Sequence, residues 1–153
     1  MNLLPLITDN ITEVIVMIIE FTQTRQKILI QNIENAHSPG FIPQDLKADE
    51  FSDLLNGAID EHIHNQRLVL RDTEHVKFGV SGSFEASPVA DEHAKELLEE
   101  DRDKYVESQI SKLVENSLNQ RIAAELLRQK QGTATINYHN QETWEIENST
   151  CHE

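Results

Sequence analysis

The sequence predicts a mostly α-helical protein: two long terminal amphipathic helices that pair in a coiled-coil-like layer, with a short helix and an irregular, partly β middle segment between them. Apolar residues recur at helical spacing near both ends of the chain, and the middle is polar and contains Gly, Ser and Pro. Hydrophobic residues make up 38% and aromatic residues 5% of the 153 residues, a low share for a globular protein. A large compact core is therefore not expected.

The N-terminal helix is predicted from a seam of apolar residues spaced alternately four and three apart, which is a heptad pattern. Arg25 is the one polar member of this seam. The seam contains Ile7, Ile11, Val14, Ile18, Phe21, Arg25 and Ile28. Ile15, Leu29 and Ile33 widen the stripe, so this helix is expected to contact more than one neighbour.

A turn is predicted where this helix ends, in the segment 31–41, QNIENAHSPGF. Pro39 disfavours helical geometry at Ser38. The Pro39-Gly40 pair suits the two central positions of a type II turn, because Gly40 can adopt a positive φ without steric cost. Local propensity does not explain Asn32 and Asn35, since asparagine is only a middling helix former.

The middle of the chain is predicted to hold one short helix, at residues 47–63, followed by an irregular strand and loop. Residues 91–104 contain seven acids and three bases, which indicates a solvated helical face. A second long helix then carries Val106, Ile110, Leu113, Val114, Leu118, Ile122 and Leu126 at helical spacing. Gly132 is predicted to end it.

The chain is thus divided into four segments. Residues 1–43 form the N-terminal helix and turn, 44–104 the middle segment, and 105–131 the C-terminal helix. Residues 132–153 have no sustained hydrophobic period and are expected to be a disordered tail. Two helices cover each other's apolar stripes only in part, so an assembly surface is expected to remain exposed.

The net charge of −14 argues against binding to nucleic acid or to an anionic membrane surface, because both carry negative charge. The longest unbroken apolar run, residues 14–19, is far shorter than the roughly 20 residues of a membrane-spanning helix. No basic residue precedes this run and no small-residue cleavage site follows it, so no cleaved signal peptide is expected.

No arrangement of residues predicts catalysis. The serines lack a Gly-x-Ser-x-Gly motif, and the glycines lack the spacing of a phosphate-binding loop. His62 and His64 form a His-x-His pair, with His75 further along. Side chains two apart on a helix point about 200° apart, so solvated histidines are favoured over a zinc site. We expect no enzyme activity, no cofactor and no small-molecule substrate.

A resemblance to a known family enters at the first helix and its turn. The stretch RQKILIQNIENAHSPGF resembles the N-terminal signature of the bacterial flagellar rod, hook and filament-type axial proteins, in which a helix ends in Asn-hydrophobic-small-Asn-Ala and then turns. Asn32, Ile33, Asn35 and Ala36 match this pattern, with Glu34 in the small-residue position. Proximal rod proteins of the FlgB type typically turn with Thr-Pro-Gly-Tyr, and Ser-Pro-Gly-Phe at 38–41 is similar.

Three later stretches occur in the order that the family has. FSDLLNGAI looks like its short helix, and LVLRDTEHV resembles a segment that carries a Thr and a His, here Thr73 and His75. ISKLVENSLNQRIAAELLRQK looks like its C-terminal helix. The matching core of that helix is Leu113, Glu115, Asn116, Ser117 and Leu118. The family's Asn-x-Val-Asp motif is replaced here by a segment that ends in Tyr105.

The resemblance implies a structural subunit of the flagellar basal-body rod, which lies in the periplasmic space and transmits torque for motility. The implied partners are other rod proteins, the rod-base adaptor and membrane-ring subunits, the flagellar type III export apparatus and further copies of the chain. The implied turn motif is Asn32, Asn35, Ala36, Ser38, Pro39, Gly40 and Phe41. The implied axial packing residues are Ile7, Ile11, Val14, Ile18, Phe21, Ile28, Ile110, Leu113, Asn116, Leu118 and Ile122.

Three alternatives stay open. The chain could be a soluble acidic helical adaptor or export chaperone, which would be stably folded as a free monomer or dimer. It could be a different axial protein of the rod family. A small metal-dependent enzyme that uses His62, His64 and His75 is the third, and metal analysis of the purified protein would test it.

Overall fold

The structure, a computed structural model, describes residues 10–79 and 83–149. The helices are α1 (Asn10–Glu34), α2 (Ala48–Asn65), α3 (Glu92–Glu100) and α4 (Arg102–Ser149), and the strands are β1 (Gln44–Asp45), β2 (Val76–Phe78), β3 (Phe84–Ala86) and β4 (Val89–Ala90). The predicted class is confirmed: the described chain is mostly helical, with two long helices and small β regions between them.

Helices α1 and α4 form the most extensive contact between elements in the described part of the chain. They run antiparallel, because Asn32 near the end of α1 contacts the first turns of α4, and Thr22 contacts Asn116 further along α4. At 1.5 Å per residue, the 25 residues of α1 span roughly 37 Å and the 48 residues of α4 roughly 72 Å.

The larger of two apolar clusters in the described residues lies between α1, α2 and the β2–β3 hairpin. Phe51 of α2 stacks on Phe21 of α1 with ring centroids 4.0 Å apart, and on Phe84 of β3 at 5.7 Å. The buried members of the cluster are Val14, Met17, Phe21, Leu46, Phe51, Leu55 and Val76. A second cluster joins Ala36, Ala94 and Tyr105 where α1 ends and α3 and α4 begin.

Two short antiparallel pairings hold the middle segment. Strand β1 pairs with β4, with Gln44 opposite Ala90, and β2 pairs with β3, with Lys77 opposite Glu85. Because β4 directly precedes α3, the pairing of β1 with β4 places the start of α3 beside the segment that follows the turn after α1. The Asp91 amide donates to the Pro43 carbonyl at 2.9 Å and continues the same ladder.

The prediction that Gly132 ends the C-terminal helix is wrong, since α4 continues through Gly132 to Ser149. The predicted tail at 132–153 is therefore helical over the part that the structure describes. A single glycine costs a helix only about 1 kcal/mol relative to alanine, and residues after Gly132 include several good helix formers. Glycine alone was too weak a signal to end the helix.

Candidate assembly site

The turn after α1 has the predicted geometry. The Phe41 amide donates to the Ser38 carbonyl at 3.3 Å, and Gly40 adopts a φ of 72°. That is the positive φ that a type II turn requires at its third position. Ser38, Pro39 and Gly40 are exposed, while Phe41 is half-buried, so the tip of the turn faces solvent.

Asn35 caps the C-terminal end of α1. Its backbone amide and its Nδ2 both donate to the Gln31 carbonyl, at 3.0 and 2.8 Å. The Ser38 hydroxyl donates to Asn35 Oδ1 at 3.2 Å, and the Ser38 amide donates to the Asn35 carbonyl at 2.9 Å. The last carbonyl groups of a helix lack partners within the helix, and Asn35 supplies both a backbone and a side-chain donor to one of them, the Gln31 carbonyl.

Asn32 ties the chain after the turn back onto α1. Its side chain is 1% exposed. Its Nδ2 donates to the Gln44 carbonyl at 2.7 Å, and its Oδ1 accepts from the Gln44 amide at 3.1 Å. The Asn32 Nδ2 also donates to Gln109 Oε1 of α4 at 2.9 Å. One amide side chain thus joins α1, β1 and α4.

Tyr105 of α4 also contacts Asn32. The side chain is fully buried, and its hydroxyl donates to the Asn32 carbonyl at 2.9 Å. Burial, with a smaller contribution from the charge of Asp91, raises the pKa of Tyr105 to about 12. The phenol therefore stays neutral and remains a hydrogen-bond donor across the physiological pH range.

Asn116 makes a second buried polar contact between the two long helices. It is 1% exposed, and its Nδ2 donates to the Thr22 carbonyl at 2.8 Å. A slip of α4 along α1 would leave these buried amides without partners, at a cost of about 1–3 kcal/mol for each group. The contacts of Asn32 and Asn116 therefore fix the register of the antiparallel pair.

A chain of charged groups runs beside this contact. Arg25 of α1 donates Nε and Nη2 to the two carboxylate oxygens of Asp45 at 2.8 and 2.9 Å. Lys112 of α4 donates to the second of these oxygens at 3.2 Å and to Asp91 at 2.6 Å. Asp91 in turn accepts from the Ala94 amide at 3.0 Å and caps α3. Four elements meet in this ion network.

The network shifts the pKa values of its members toward their charged forms. Burial by itself raises the pKa of Asp45, but the hydrogen bond and charge of Arg25, together with Lys112, hold it below its usual value. Burial also raises the pKa of Asp91. The hydrogen bonds from the Lys112 ammonium and the Ala94 amide outweigh this effect, so the pKa of Asp91 is lowered. The two carboxylates raise the pKa of Lys112 against the effect of burial.

The residues implied for axial packing do not all lie together in the single chain. Val14, Phe21 and Asn116 are buried, and Ile11, Ile18, Ile28 and Leu113 are partly buried. Ile110, Leu118 and Ile122 are 46%, 57% and 51% exposed, and Ile122 lines a groove that Ile15 and Ile18 of α1 also line. The buried face of α4 is instead formed by Tyr105, Gln109, Asn116 and Ala123. Ile7 lies outside the described residues.

Five large apolar side chains in residues 102–132 of α4 are exposed, and they follow one another at intervals of four residues. We call the α4 stripe the five residues Ile110, Val114, Leu118, Ile122 and Leu126, which are between 46% and 64% exposed. At its C-terminal end the stripe borders an apolar groove of about 280 Å³ between α1, α2 and α4, whose lining includes Phe21, Leu55 and Ala123. Exposed apolar surfaces of this kind are typical of interaction sites.

His62, His64 and His75 have different hydrogen-bond partners. His62 Nδ1 hydrogen bonds with Asn10 Nδ2 at 3.1 Å, and His64 Nδ1 with the Asp60 carbonyl at 2.8 Å. His75 pairs with Glu50 at 2.8 Å. Hydrogen bonds from Thr73 and then His75 lower the pKa of Glu50 to about 2. Within residues 10–79 and 83–149, no cluster of three or more His, Cys, Asp or Glu is placed to hold a metal ion.

Sequence reasoning missed the ion network and the role of Tyr105. The solvated face predicted for residues 91–104 is found for most of its acids. Asp91 is the exception, since its side chain is 14% exposed. Arg25 could have indicated the ion network, because a charged residue within an apolar seam requires a buried partner. Its partner Asp45 lies 20 residues away in the chain, and Asp91, which joins the network through Lys112, lies 66 residues away. No spacing rule connects these residues.

Searches against family models, curated proteins and solved structures found no match. In the described residues, none of the helices combines the length and the apolar character needed to cross a membrane.

Proposed function

We propose that this chain is a structural subunit of the bacterial flagellar basal-body rod, of the proximal type, which assembles through its long helices and helps to transmit torque. The observation that carries the proposal is a coincidence of residues. The sequence resemblance depends on Asn32, Ala36, Gly40 and Asn116. Asn32, Ala36 and Asn116 join α1, the chain after it and α4, and Gly40 has the positive φ of the turn.

The shape of the surface is consistent with an assembling subunit. The α4 stripe exposes five large apolar side chains on one helix, and an isolated soluble domain rarely leaves such a line uncovered. Burial of apolar area at about 25 cal/mol per Å² would favour association with neighbouring helices. Ile110, Leu118 and Ile122, implied as axial packing residues, lie on this stripe and would be covered by neighbours rather than by α1.

A soluble acidic adaptor or export chaperone is the second candidate. The net charge of −14 and the closed α1–α4 pair favour it, because such a protein is folded before it meets its partner. A different position within the rod is a variant of the first candidate. It also requires that neighbouring subunits cover the α4 stripe.

The test is to isolate hook–basal bodies from the bacterium that produces the chain and to quantify the chain by mass spectrometry. We expect it in the rod fraction, in constant ratio to the other rod proteins, and a strain that lacks it to be non-motile. A chain found in the cytoplasm and absent from purified basal bodies would contradict the rod role and favour the adaptor.

A further inference from the structure

The groove between α1, α2 and α4 is bounded by two helices that run in the same direction. Phe51 near the start of α2 stacks on Phe21 of α1, and His62 near the end of α2 hydrogen bonds with Asn10 at the start of α1. Helix α2 is therefore antiparallel to α1, as α4 is. The groove has α1 as its floor and α2 and α4 as its walls, and a fourth helix laid between the walls would complete a four-helix arrangement.

The size and lining of the groove suit the apolar face of one helix. Along α1 the lining extends from Ile15 to Arg25, which is about 15 Å at 1.5 Å per residue. Helices that bind in grooves insert apolar side chains spaced i, i+4 and i+7, which together span about 10 Å. The apolar lining includes Ile15 and Ile18 of α1, Phe51 and Leu55 of α2, and Ala123 and Leu126 of α4.

Only the C-terminal part of the α4 stripe belongs to this groove. Ile122 and Leu126 line it and are 51% and 46% exposed. Each step of four residues turns about 40° around a helix with 3.6 residues per turn, so Ile110 lies about 120° around α4 from Ile122. A helix in the groove would therefore cover Ile122 and Leu126 and leave Ile110 exposed.

Two acids flank one end of the groove, one from each wall. Asp49 precedes Phe51 by two residues, and Glu115 directly precedes Asn116. Since Phe51 and Asn116 contact adjacent residues of α1, the two acids lie at nearly the same level along it. Both are exposed, and both lie close enough to interact with the charge of Arg25, which lines this end of the groove. The guanidinium of Arg25 is already held in the ion network, so this end favours a partner with basic residues.

We propose that the groove binds an amphipathic helix of a partner protein. The apolar side chains of this helix lie between α2 and α4, and lysine or arginine side chains in one of its terminal turns pair with Asp49 and Glu115. The proposal does not depend on the rod function, because a neighbouring rod subunit and the target of an adaptor can each present such a helix.

Fluorescence anisotropy of a labelled synthetic peptide, titrated with the full chain, tests the proposal. The probe is a helix of about 15 residues with leucines spaced i, i+4 and i+7 and, in its last turn, a lysine on each side of this apolar face. We expect saturable binding with a Kd of about 10–100 μM in about 0.15 M salt. A peptide of the same composition with its leucines spread around the helix should bind about tenfold more weakly.

Ile122→Arg should weaken binding of the probe about tenfold, because it places a charge on the apolar wall of the groove. Ile110→Arg is the matched control. It makes the same change on the same helix at a similarly exposed position, 46% against 51%, but outside the groove, and it should bind the probe as wild type does.

Exchanging the charges tests the role of the two acids. The double variant Asp49→Lys, Glu115→Lys should bind the lysine probe more weakly than wild type, and should prefer a peptide with glutamate in place of both lysines. Asp103→Lys combined with Glu107→Lys is the control, because it makes the same net change at exposed positions of α4 outside the groove. This control should keep the preference for the lysine probe.

No saturable binding, equal binding of the two leucine patterns, or equal losses in Ile110→Arg and Ile122→Arg would overturn the proposal. Self-association of the chain that Ile122→Arg abolishes would also overturn it, since a second copy would then occupy the groove. The peptide measurements do not depend on whether the chain is found in hook–basal bodies, so this proposal and the rod function fail independently.

Discussion

The side-chain amide of Asn32 pairs with the backbone of Gln44, donating to its carbonyl at 2.7 Å and accepting from its amide at 3.1 Å. The two residues are 12 apart in sequence, and the turn lies between them. Asn32 thus supplies to Gln44 the two hydrogen bonds that a neighbouring strand would supply. An aspartate or a leucine of similar size would lack the donor, the acceptor or both, which explains why asparagine is needed inside α1.

Asn32→Ala should destabilise the fold strongly. It leaves the Gln44 backbone groups and the buried Gln109 carbonyl without a partner, and each unsatisfied buried group costs about 1–3 kcal/mol. We expect the free energy of unfolding, measured by urea denaturation, to fall by about 2–4 kcal/mol. Asn35→Ala is the matched control, since its side-chain bonds are exposed, and it should cost less than about 1 kcal/mol. Equal losses in the two variants would contradict the role given to Asn32.

Gly40→Ala should destabilise the chain through the backbone alone. A Cβ at Gly40 meets no atom within 4 Å, so only its φ of 72° opposes a side chain, and this left-handed conformation costs a non-glycine residue about 1–2 kcal/mol. Gly57→Ala, in α2 and equally free of steric contact, should instead stabilise by about 0.5–1 kcal/mol. Opposite signs in thermal or urea unfolding are the expected result.

The bulkier Gly40→Val extends this comparison to assembly. If the rod function holds, we expect Gly40→Val to abolish rod assembly in the producing bacterium, because the turn then cannot adopt its positive φ. Normal rods with this variant would show that the turn geometry is not required there.

Lys112→Met should lower stability at neutral pH and change its pH dependence. The folded state lowers the pKa values of Asp45 and Asp91 below their usual 3.8. Their contribution is therefore present above pH 3.8 and is lost as the pH falls through the folded-state values. We expect a loss of about 1–3 kcal/mol at about pH 7, and a smaller difference from wild type at about pH 2.5.

Lys104→Met is the control for Lys112→Met. Lys104 pairs with Asp101 on the surface, with side chains 72% and 41% exposed, and exposed pairs contribute little to stability. We expect no measurable loss in the free energy of unfolding, measured by urea denaturation. Its decrease at acid pH should be the same as in wild type. A similar effect of the two substitutions would show that the ion network adds nothing beyond surface charge.

Tyr105→Phe removes a single buried hydroxyl. We expect it to cost about 1 kcal/mol, because the Asn32 carbonyl loses a hydrogen bond. The difference in phenolate absorbance between wild type and variant should titrate near pH 12. Since the folded-state pKa is raised above 10, the Tyr105 contribution is present below pH 10 and is lost as the pH rises toward 12. A difference spectrum that titrates near pH 10 would show that the phenol is exposed to solvent.

The sequence by itself determined the helices and the turn. Apolar spacing placed α1, α2 and the start of α4, and the Pro39-Gly40 pair predicted a positive φ at Gly40, because these features depend on residues within a few positions of one another. Gly132 was the exception, since the cost of a glycine is small enough for the rest of a long helix to outweigh it.

Only the tertiary structure decided which face of α4 meets α1. The resemblance implies that Ile110, Leu118 and Ile122 pack between subunits, and this stays a prediction. Within the chain, the face of α4 that meets α1 carries Tyr105 and Asn116. These polar residues can be buried because each donates a hydrogen bond to α1. The acceptors, the Asn32 and Thr22 carbonyls, lie 73 and 94 residues away in the chain. Hydrophobic periodicity reports apolar residues alone, whereas a buried hydrogen bond depends on where a distant partner comes to lie in the folded chain.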